Sequence, residues 1–574
     1  MSKSGLRVLI IGGYGTFGGR IARLLANEPG LTLVIAGRSA AKAAAFCAAL
    51  AQRGGATVLS PLAFDRDGDL TAQLTALVAT ARPNVVIDAT GPFQVYGDAP
   101  YRVVQACLEL RLPYLDLADG ADFVTGIAAF DAAARARGVA LLSGASTFPA
   151  LTAAAVRHLT QGWTAVTGVS IGVAPTPRAV VGANVLRAIA SYAGKPVTLR
   201  RDGAWTRAHA LTETRRRTIA PPGALPLRNT RFALVEVPDL QVMPRLWPDL
   251  RDIWVGAGTR PESIHRIMTA LAWLVRLRLV PSLLPLAPLF HWGAGVFRWG
   301  EHRGGLVVEV TGRDPDDQPA TRSWHLVAEG DDGPEIPALP AAALVRRWLA
   351  GHPPAPGARA ATDLELADFD ALFAGRAIRA GVRDAAEAAG PVFRQVIGAE
   401  AWSRQPAVWR ALHGVEAGTP AVWRGRATVT RGRSLLARLA ALLVGFPATG
   451  ADVPVSVTLT RAPEGGERWM RDFGGRRFAS RLDAGQGRNA HMVLERFGPA
   501  AYAQALVSED GAVRLVLRRW TLLGLPLPLW LAPRSDATET AEPTPDGARF
   551  RFDVRISHPL GGLIVHYRGW LAPC

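Results

Sequence analysis

The chain has 574 residues, 49% of them hydrophobic and 20% charged, with a formal net charge of +17. That length holds several domains, and that composition excludes a disordered or fibrous protein. The charge does not point to nucleic acid: Lys3, Lys42 and Lys195 are the only lysines, the arginines are scattered, and no helix-turn-helix or aromatic-basic motif accompanies the short run Arg215-Arg216-Arg217.

The first predicted strand, Leu6–Ile11, runs into Gly12-Gly13-Tyr14-Gly15-Thr16-Phe17-Gly18-Gly19 and a helix over Arg20–Leu25. Gly13, Gly15 and Gly18 occupy the three positions of a G-x-G-x-x-G turn. The first permits a tight bend, the second a close approach of backbone to pyrophosphate, the third close packing of helix on strand. With Thr16 and Phe17 at the helix start, they are the first candidates for dinucleotide binding. The second strand, Leu31–Ala36, ends in Gly37-Arg38-Ser39. An NAD site places a carboxylate at this strand end to bind the ribose 2′-hydroxyl. Arg38 and Ser39 instead offer a cation and a hydroxyl, which suit the 2′-phosphate of NADP.

Further strands are predicted at Thr57–Leu62, Val85–Ala89, Tyr114–Leu117 and Ala140–Ser143, with helices such as Thr71–Ala81 and Pro100–Leu110 between them. This alternation predicts a Rossmann-type parallel α/β sheet over 1–150, with ligands at the carboxyl ends of its strands. The fourth strand continues Thr90-Gly91-Pro92-Phe93, which brings backbone toward the nicotinamide side of the cleft. From 151 to 330 the alternation stops and an α+β substrate domain is expected, with a helix at Thr152–Leu159 and strands at Val169–Val173, Phe232–Val235 and Leu306–Thr311. Residues 331–385 are expected to form a return segment that packs on the Rossmann domain. Within 268–299, Leu279–Phe297 carries no Asp, Glu, Lys or Arg, but Pro281, Pro285 and Pro288 interrupt it; a buried or interfacial hairpin is expected rather than a span, with membrane-surface contact as an alternative. Over 391–574, helical character at Val392–His413 and Leu435–Leu443 gives way to alternation of period two. Phe550, Phe552, Val554 and Ile556 face one way, Arg551, Asp553 and Arg555 the other, predicting a mostly antiparallel curved sheet or barrel with an apolar cavity.

The glycine turn, Gly37-Arg38-Ser39, Asp65 after the third strand, Ala89-Thr90-Gly91-Pro92-Phe93, Tyr114-Leu115-Asp116-Leu117-Ala118-Asp119-Gly120 and the Gly144…Pro149 turn together resemble the saccharopine dehydrogenase-like NAD(P)-binding oxidoreductases. Within that group the sequence is most similar to the trans-acting enoyl reductase-like branch. Glu467-Arg468-Trp469-Met470-Arg471-Asp472-Phe473, Glu495-Arg496-Phe497-Gly498-Pro499, Pro559-Leu560-Gly561-Gly562-Leu563 and Tyr567-Arg568-Gly569-Trp570-Leu571 resemble the DUF4166 family. The first resemblance implies NADP as cofactor and hydride transfer to or from a polarised C=C or C=N bond, with Asp65, Thr90, Gly91, Pro92 and Phe93 also touching the cofactor. Enzymes of that group that form lysine use a lysine and a histidine. No lysine lies between Lys42 and Lys195 here, which argues against that reaction.

Two proton donors remain at the strand ends, Tyr96 and Asp119. The apolar content of the substrate region and C-terminal sheet predicts a small-molecule partner of apolar or acyl type. In the C-terminal sheet, Trp469, Arg471, Glu495 and Arg496 are candidates for a polar cluster at a cavity mouth, or for ordinary strand-pair contacts. The histidines show no metal-ligand spacing, and Cys47, Cys107 and Cys574 are too dispersed for a disulfide framework. With a strand opening the chain, a cytoplasmic protein is expected, with membrane association as an alternative and a homodimer as one allowed state.

Overall fold

The computed structural model describes residues 5–94, 96–178, 182–296, 300–463, 465–545 and 547–574. Two compact units divide the chain. One comprises Met1–Arg215, Arg231–Ala320 and Ala328–Ile378, the other Arg216–Thr230, Thr321–Val327 and Arg379–Cys574.

The first unit is built on a parallel sheet. Its strands are β1 (Leu6–Ile11), β2 (Leu31–Gly37), β3 (Val58–Ala63), β4 (Val85–Asp88), β5 (Tyr114–Asp116) and β6 (Ala140–Ser143). Their spatial order is β3-β2-β1-β4-β5-β6, and Gly357–Ala360 adds a seventh strand beside β6. β1, β4, β5 and β6 are almost wholly buried, because helices cover both faces; hence their unbroken apolar runs. Between them run α1 (Thr16–Leu24), α2 (Ala40–Ala51), α3 (Leu70–Ala81), α4 (Arg102–Glu109), α5 (Ala121–Gly126) and α6 (Asp131–Arg137). Side chains set the helix starts: Ser39 Oγ accepts the Lys42 N–H at the head of α2, and Asp69 Oδ1 the Ala72 N–H in the first turn of α3. Gly138, at φ +67°, closes α6 in the left-handed conformation.

A second sheet of the same unit is mixed. Thr230–Leu234 runs antiparallel to Asp252–Gly258, which lies parallel to Ala165–Ala174, itself antiparallel to Arg303–Arg313. The helix Leu339–Leu349 returns to the Rossmann layer, where Arg346 Nε donates to Glu28 at 2.7 Å and Arg20 pairs with Glu335 at 3.6 Å. The apolar stretch forms a helix, Glu262–Arg276, and a second, Ala287–Val296, with the prolines between them or at the second helix's start. Trp273, Leu277, Leu279, Leu289 and Trp292 are exposed on it, so it is not buried as the hairpin reading allowed. Residues 297–299 lie outside the described residues. Among the described residues no helix is long and apolar enough to cross a membrane.

The second unit is an antiparallel barrel. Its strand order begins at Ala500–Glu509, runs back through Val493–Phe497, Arg476–Ala484, Glu467–Phe473, Gly450–Arg461 and Ala421–Arg431, then on through Gly562–Pro573, Gly547–His558 and Arg534–Thr544 to Ala512–Leu522. Pairing of Ala500–Glu509 with Ala512–Leu522 closes the ring. Phe550, Phe552, Val554 and Ile556 line an interior cavity of about 330 Å³, as their alternation predicts. Trp469, Arg471 and Glu495 also face it; Arg471 pairs with Glu495 at 3.2 Å, and Ser480 and Gln504 donate to the same carboxylate. Arg496 is not part of that cluster, since its neighbouring position in the strand turns it outward onto Asp483.

Candidate active site

In the order β3-β2-β1-β4 the chain reverses direction of travel across the sheet between β1 and β4, which opens a crevice outside their carboxyl ends. Gly12 ends β1 at φ +77°, and a Cβ there would lie 3.1 Å from both the Ala89 carbonyl oxygen and Thr90 Cγ2. The glycine turn and the end of β4 are therefore in direct apposition. At Gly18 a Cβ would stand 2.3 Å from the Gly12 carbonyl oxygen, so α1 packs on the turn with no room for a side chain. Gly13 is similarly enclosed by Ile10 and Ile35, whereas Gly15 and Thr16 are exposed and Phe17 is half-buried. The unpaired N–H groups and positive dipole end of α1 thus meet the crevice at a bare stretch of backbone, which fits a pyrophosphate.

Tyr14, inside the glycine turn, ties it to β2. Its hydroxyl accepts the Ser39 N–H at 3.1 Å, and its ring lies where a Cβ on Gly37 would come within 2.5 Å. The sequence reading passed over Tyr14; its place between Gly13 and Gly15 was the available signal. Arg38 is exposed beside it, and Ser39 uses its oxygen as the cap of α2 while its hydroxyl proton remains to be donated. Asp65 shapes the turn after β3: its Oδ1 accepts the Asp67 N–H, and Gln73 holds its backbone on both sides.

At the end of β4, Asp88 is fully buried. One of its oxygens accepts the Thr90 N–H at 3.0 Å and the Thr90 hydroxyl at 2.6 Å; the other accepts the Tyr96 hydroxyl. Burial pushes the Asp88 carboxyl up. Burial together with the Asp88 charge pushes the Tyr96 phenol up as well. The Arg66 guanidinium sits 3.8 Å from the centre of the Tyr96 ring. Phe93 turns away from the crevice into an aromatic cluster with Tyr96 and Phe123, at centroid distances of 4.6 and 5.0 Å. Of the fourth-strand candidates, Thr90, Gly91 and Pro92 keep partial exposure; the Phe93 ring does not.

After β5 the chain places two further carboxylates. Asp116 is buried, with one oxygen accepting Ala118 N–H, Ser143 Oγ and Gly144 N–H, and burial pushes it up to about 7. Asp119 is only partly buried. Gln94 Nε2, from the β4 loop, donates to it at 2.9 Å, and burial raises its carboxyl above the usual range. Two groups that the sequence reading missed face it electrostatically. Glu236, just beyond Thr230–Leu234, accepts the Ala121 N–H at 3.1 Å and is pushed up to about 7 by burial, with Asp122 and Asp119 adding to the rise. Tyr192, which ends the helix Ala183–Tyr192, is raised by burial and by the charges of Glu236 and Asp119. Lys195 is exposed on the turn that follows. No group of three or more metal-ligating side chains occurs among the described residues.

By fold and crevice the first unit is a Rossmann-type dinucleotide-binding protein. More particularly, residues 8–155 match the saccharopine dehydrogenase NADP binding domain, and residues 405–571 match DUF4166, a domain of unknown function. The chain is thus a saccharopine dehydrogenase-like NAD(P)-binding domain joined to a C-terminal DUF4166 barrel. No curated protein matches it. Among solved structures it is similar to apo saccharopine dehydrogenase (L-Glu forming) from Saccharomyces cerevisiae, at 14% identity and TM-score 0.44 over 66% of this chain and 100% of that one. It is also similar to L-sorbose reductase from Gluconobacter frateurii, complexed with NADPH and L-sorbose, at 15% identity and TM-score 0.18 over 22% and 56%. The domain match supports an oxidoreductase that uses a nicotinamide dinucleotide.

Proposed function

We propose that the chain is an NADP-dependent oxidoreductase that moves hydride to or from a polarised C=C or C=N bond in an apolar, acyl-type substrate. The β2 end favours NADP over NAD: it offers an exposed guanidinium at Arg38, the Ser39 hydroxyl at the head of α2, and no carboxylate. The cofactor, when bound, supplies or accepts the hydride. Gly13, Gly15, Thr16 and Gly18 hold its pyrophosphate, and Thr90, Gly91 and Pro92 border its reactive end. Asp119 carries the proton.

The observation behind this reading is the pairing of Asp119 with Gln94 at the carboxyl edge of the sheet, in the field of Glu236. Burial raises the Asp119 carboxyl above its ordinary value, the direction that makes a carboxyl a better proton donor. Tyr96 is a positioning residue here, because its hydroxyl is already donated in a hydrogen bond to the buried Asp88 carboxyl.

Calorimetric titration with NADPH and NADH, followed by turnover on a hydrophobic enone or imine, tests the assignment. Arg38→Ala should weaken NADPH by about tenfold or more and leave NADH unchanged. Asp119→Asn should lower kcat by roughly a hundredfold or more at unchanged NADPH affinity. Equal binding of the two cofactors, insensitive to Arg38→Ala, would remove the NADP assignment. NADPH binding without oxidation across a broad substrate panel would make the chain a dinucleotide-binding scaffold instead.

A further inference from the structure

The helix Leu435–Val444 in the barrel unit has its faces reversed. Ala437 and Ala441, one turn apart, are buried against the barrel, while Leu435, Leu436, Leu439, Leu442 and Leu443 point outward. Leu435 is 83% exposed and Leu443 78%. A helix that packs only on its own domain buries its large apolar side chains and shows the small or polar ones. Here the side chains that would gain most from burial are left uncovered. The helix is nonetheless firmly set: Ser434 Oγ accepts the Ala437 N–H at its start, and Arg431 reaches the Ala441 and Phe446 carbonyl oxygens near its end.

Neighbouring segments add to the same patch. Ser434 Oγ donates to the Gly561 carbonyl at 2.6 Å, which seats the 558–562 turn and the exposed Leu560 against the helix. His558 Nε2 donates to the Leu531 carbonyl, bringing in the 529–531 turn and the 71% exposed Trp530. Trp520 Nε1 donates to the Pro528 carbonyl, so the hairpin bearing exposed Leu523 and Leu525 belongs to the group. This is also where the cavity opens: Ala440, Leu443 and Val444 line it from the helix, and Pro533 and Ser535 from the chain after Trp530. The charge is one-sided. Residues 431–446, 518–534 and 555–563 hold seven arginines and no aspartate or glutamate, with Arg433, Arg438 and Arg534 exposed.

We propose that this end of the barrel docks on an anionic lipid surface, with the helix Leu435–Val444 lying in the interface and the cavity opening toward the acyl chains. Outward leucines and tryptophan flanked by arginines are the pattern of an interfacial helix, its apolar face in the acyl boundary and its cations at the phosphates. A second copy of the chain fits less well, because a two-fold contact would set these arginines against one another, with Asp536 beside Arg555 the one nearby acid on the adjoining strand. The barrel bore is lined mostly by apolar side chains, with the paired Arg471 and Glu495 and the Glu539 carboxylate as its charged groups, and suits a single chain or ring system with a polar end drawn from the bilayer. This inference does not depend on the reductase reading.

Flotation of the full-length protein with phosphatidylcholine vesicles, with and without phosphatidylglycerol, provides the test. Binding should require the anionic lipid and weaken at high salt. The double variant Leu439→Glu/Leu443→Glu alters only exposed side chains and should release the protein while NADPH affinity and melting temperature stay unchanged. Arg433→Glu/Arg438→Glu should weaken binding by about tenfold or more. The proposal is overturned if the leucine variant still floats, or if Leu289→Glu/Trp292→Glu in the other unit abolishes binding instead. It is equally overturned if the wild type ignores vesicles and light scattering shows a dimer that the leucine variant converts to monomer.

Discussion

Tyr96 and Asp119 stand at the ends of adjacent strands, and burial moves both pKa values upward, with opposite chemical consequences. A phenol raised further above its ordinary value is a poorer proton donor, and this one already donates its hydrogen bond to Asp88. A carboxyl raised from the acid range becomes a better one. Replacing Tyr96 with Phe leaves one oxygen of a fully buried carboxylate without its donor. We expect a loss of about 1–3 kcal/mol in folding stability by urea denaturation. The pH–rate profile should keep its shape, whereas Asp119→Asn should remove its limb. Sequence alone brought both residues into view, because strand ends of a parallel sheet are where ligands sit, but it could not rank them. The ranking came from Asp88, whose contact with Tyr96 spans eight positions, and from Glu236, whose contact with the Asp119 loop spans 115. No local pattern encodes the second.

At the scale of elements, legibility followed burial. Strands β1, β4 and β6 are enclosed on both faces, so their apolar runs mark them to within a residue. The barrel strands face a cavity on one side and water on the other, so alternation marks them. The helix Leu435–Val444 was visible as apolar, yet leucine and alanine leave no polar face to show which side turns inward; only the packed structure reveals it. The glycine turn was the most legible element, since each glycine answers a separate steric demand. Gly18→Ala tests this at its tightest point. The added methyl would stand 2.3 Å from a backbone oxygen that cannot swing aside, so α1 must lift from the turn. The expected result is a destabilisation of about 1–3 kcal/mol and loss of NADPH binding. Gly15, whose Cβ would meet only the Gly12 carbonyl oxygen, at 3.0 Å, should tolerate alanine better in folding than in binding.

For the whole molecule, the most strongly shifted buried groups of the two units respond to pH in opposite directions, although Glu467 and Glu387 in the second unit are also pushed up by burial. In the first unit Asp116, Glu236 and Asp239 are each pushed up to about 7 by burial. A carboxyl raised in the folded state binds its proton more tightly there than in the unfolded chain. Its contribution is complete below the unfolded value near 4 and is lost as pH rises through about 7, at up to about 1.4 kcal/mol per pH unit for each group. In the second unit His491 is pulled down to about 3 by burial and by Arg383, and His325 well below the ordinary histidine range by burial and by His491. His325 is neutral by construction, its Nδ1 accepting the Ala220 N–H and its Nε2 meeting Ser323 Oγ. The unfolded chain takes up these protons first, so the second unit loses stability as pH falls from about 6.5 toward 3. Scanning calorimetry should therefore show the Rossmann transition moving down as pH rises from about 4 to about 7, and the barrel transition moving down as pH falls from about 6.5 toward 3. Asp239→Asn keeps the oxygen that accepts the Thr152 hydroxyl at 2.5 Å and cannot ionise, so it should flatten the first trend alone. His491 sits at φ +62°, which asparagine tolerates, so His491→Asn should flatten the second alone. Transitions that shift together, or variants that flatten the wrong one, would show that the groups governing acid and base stability are not these.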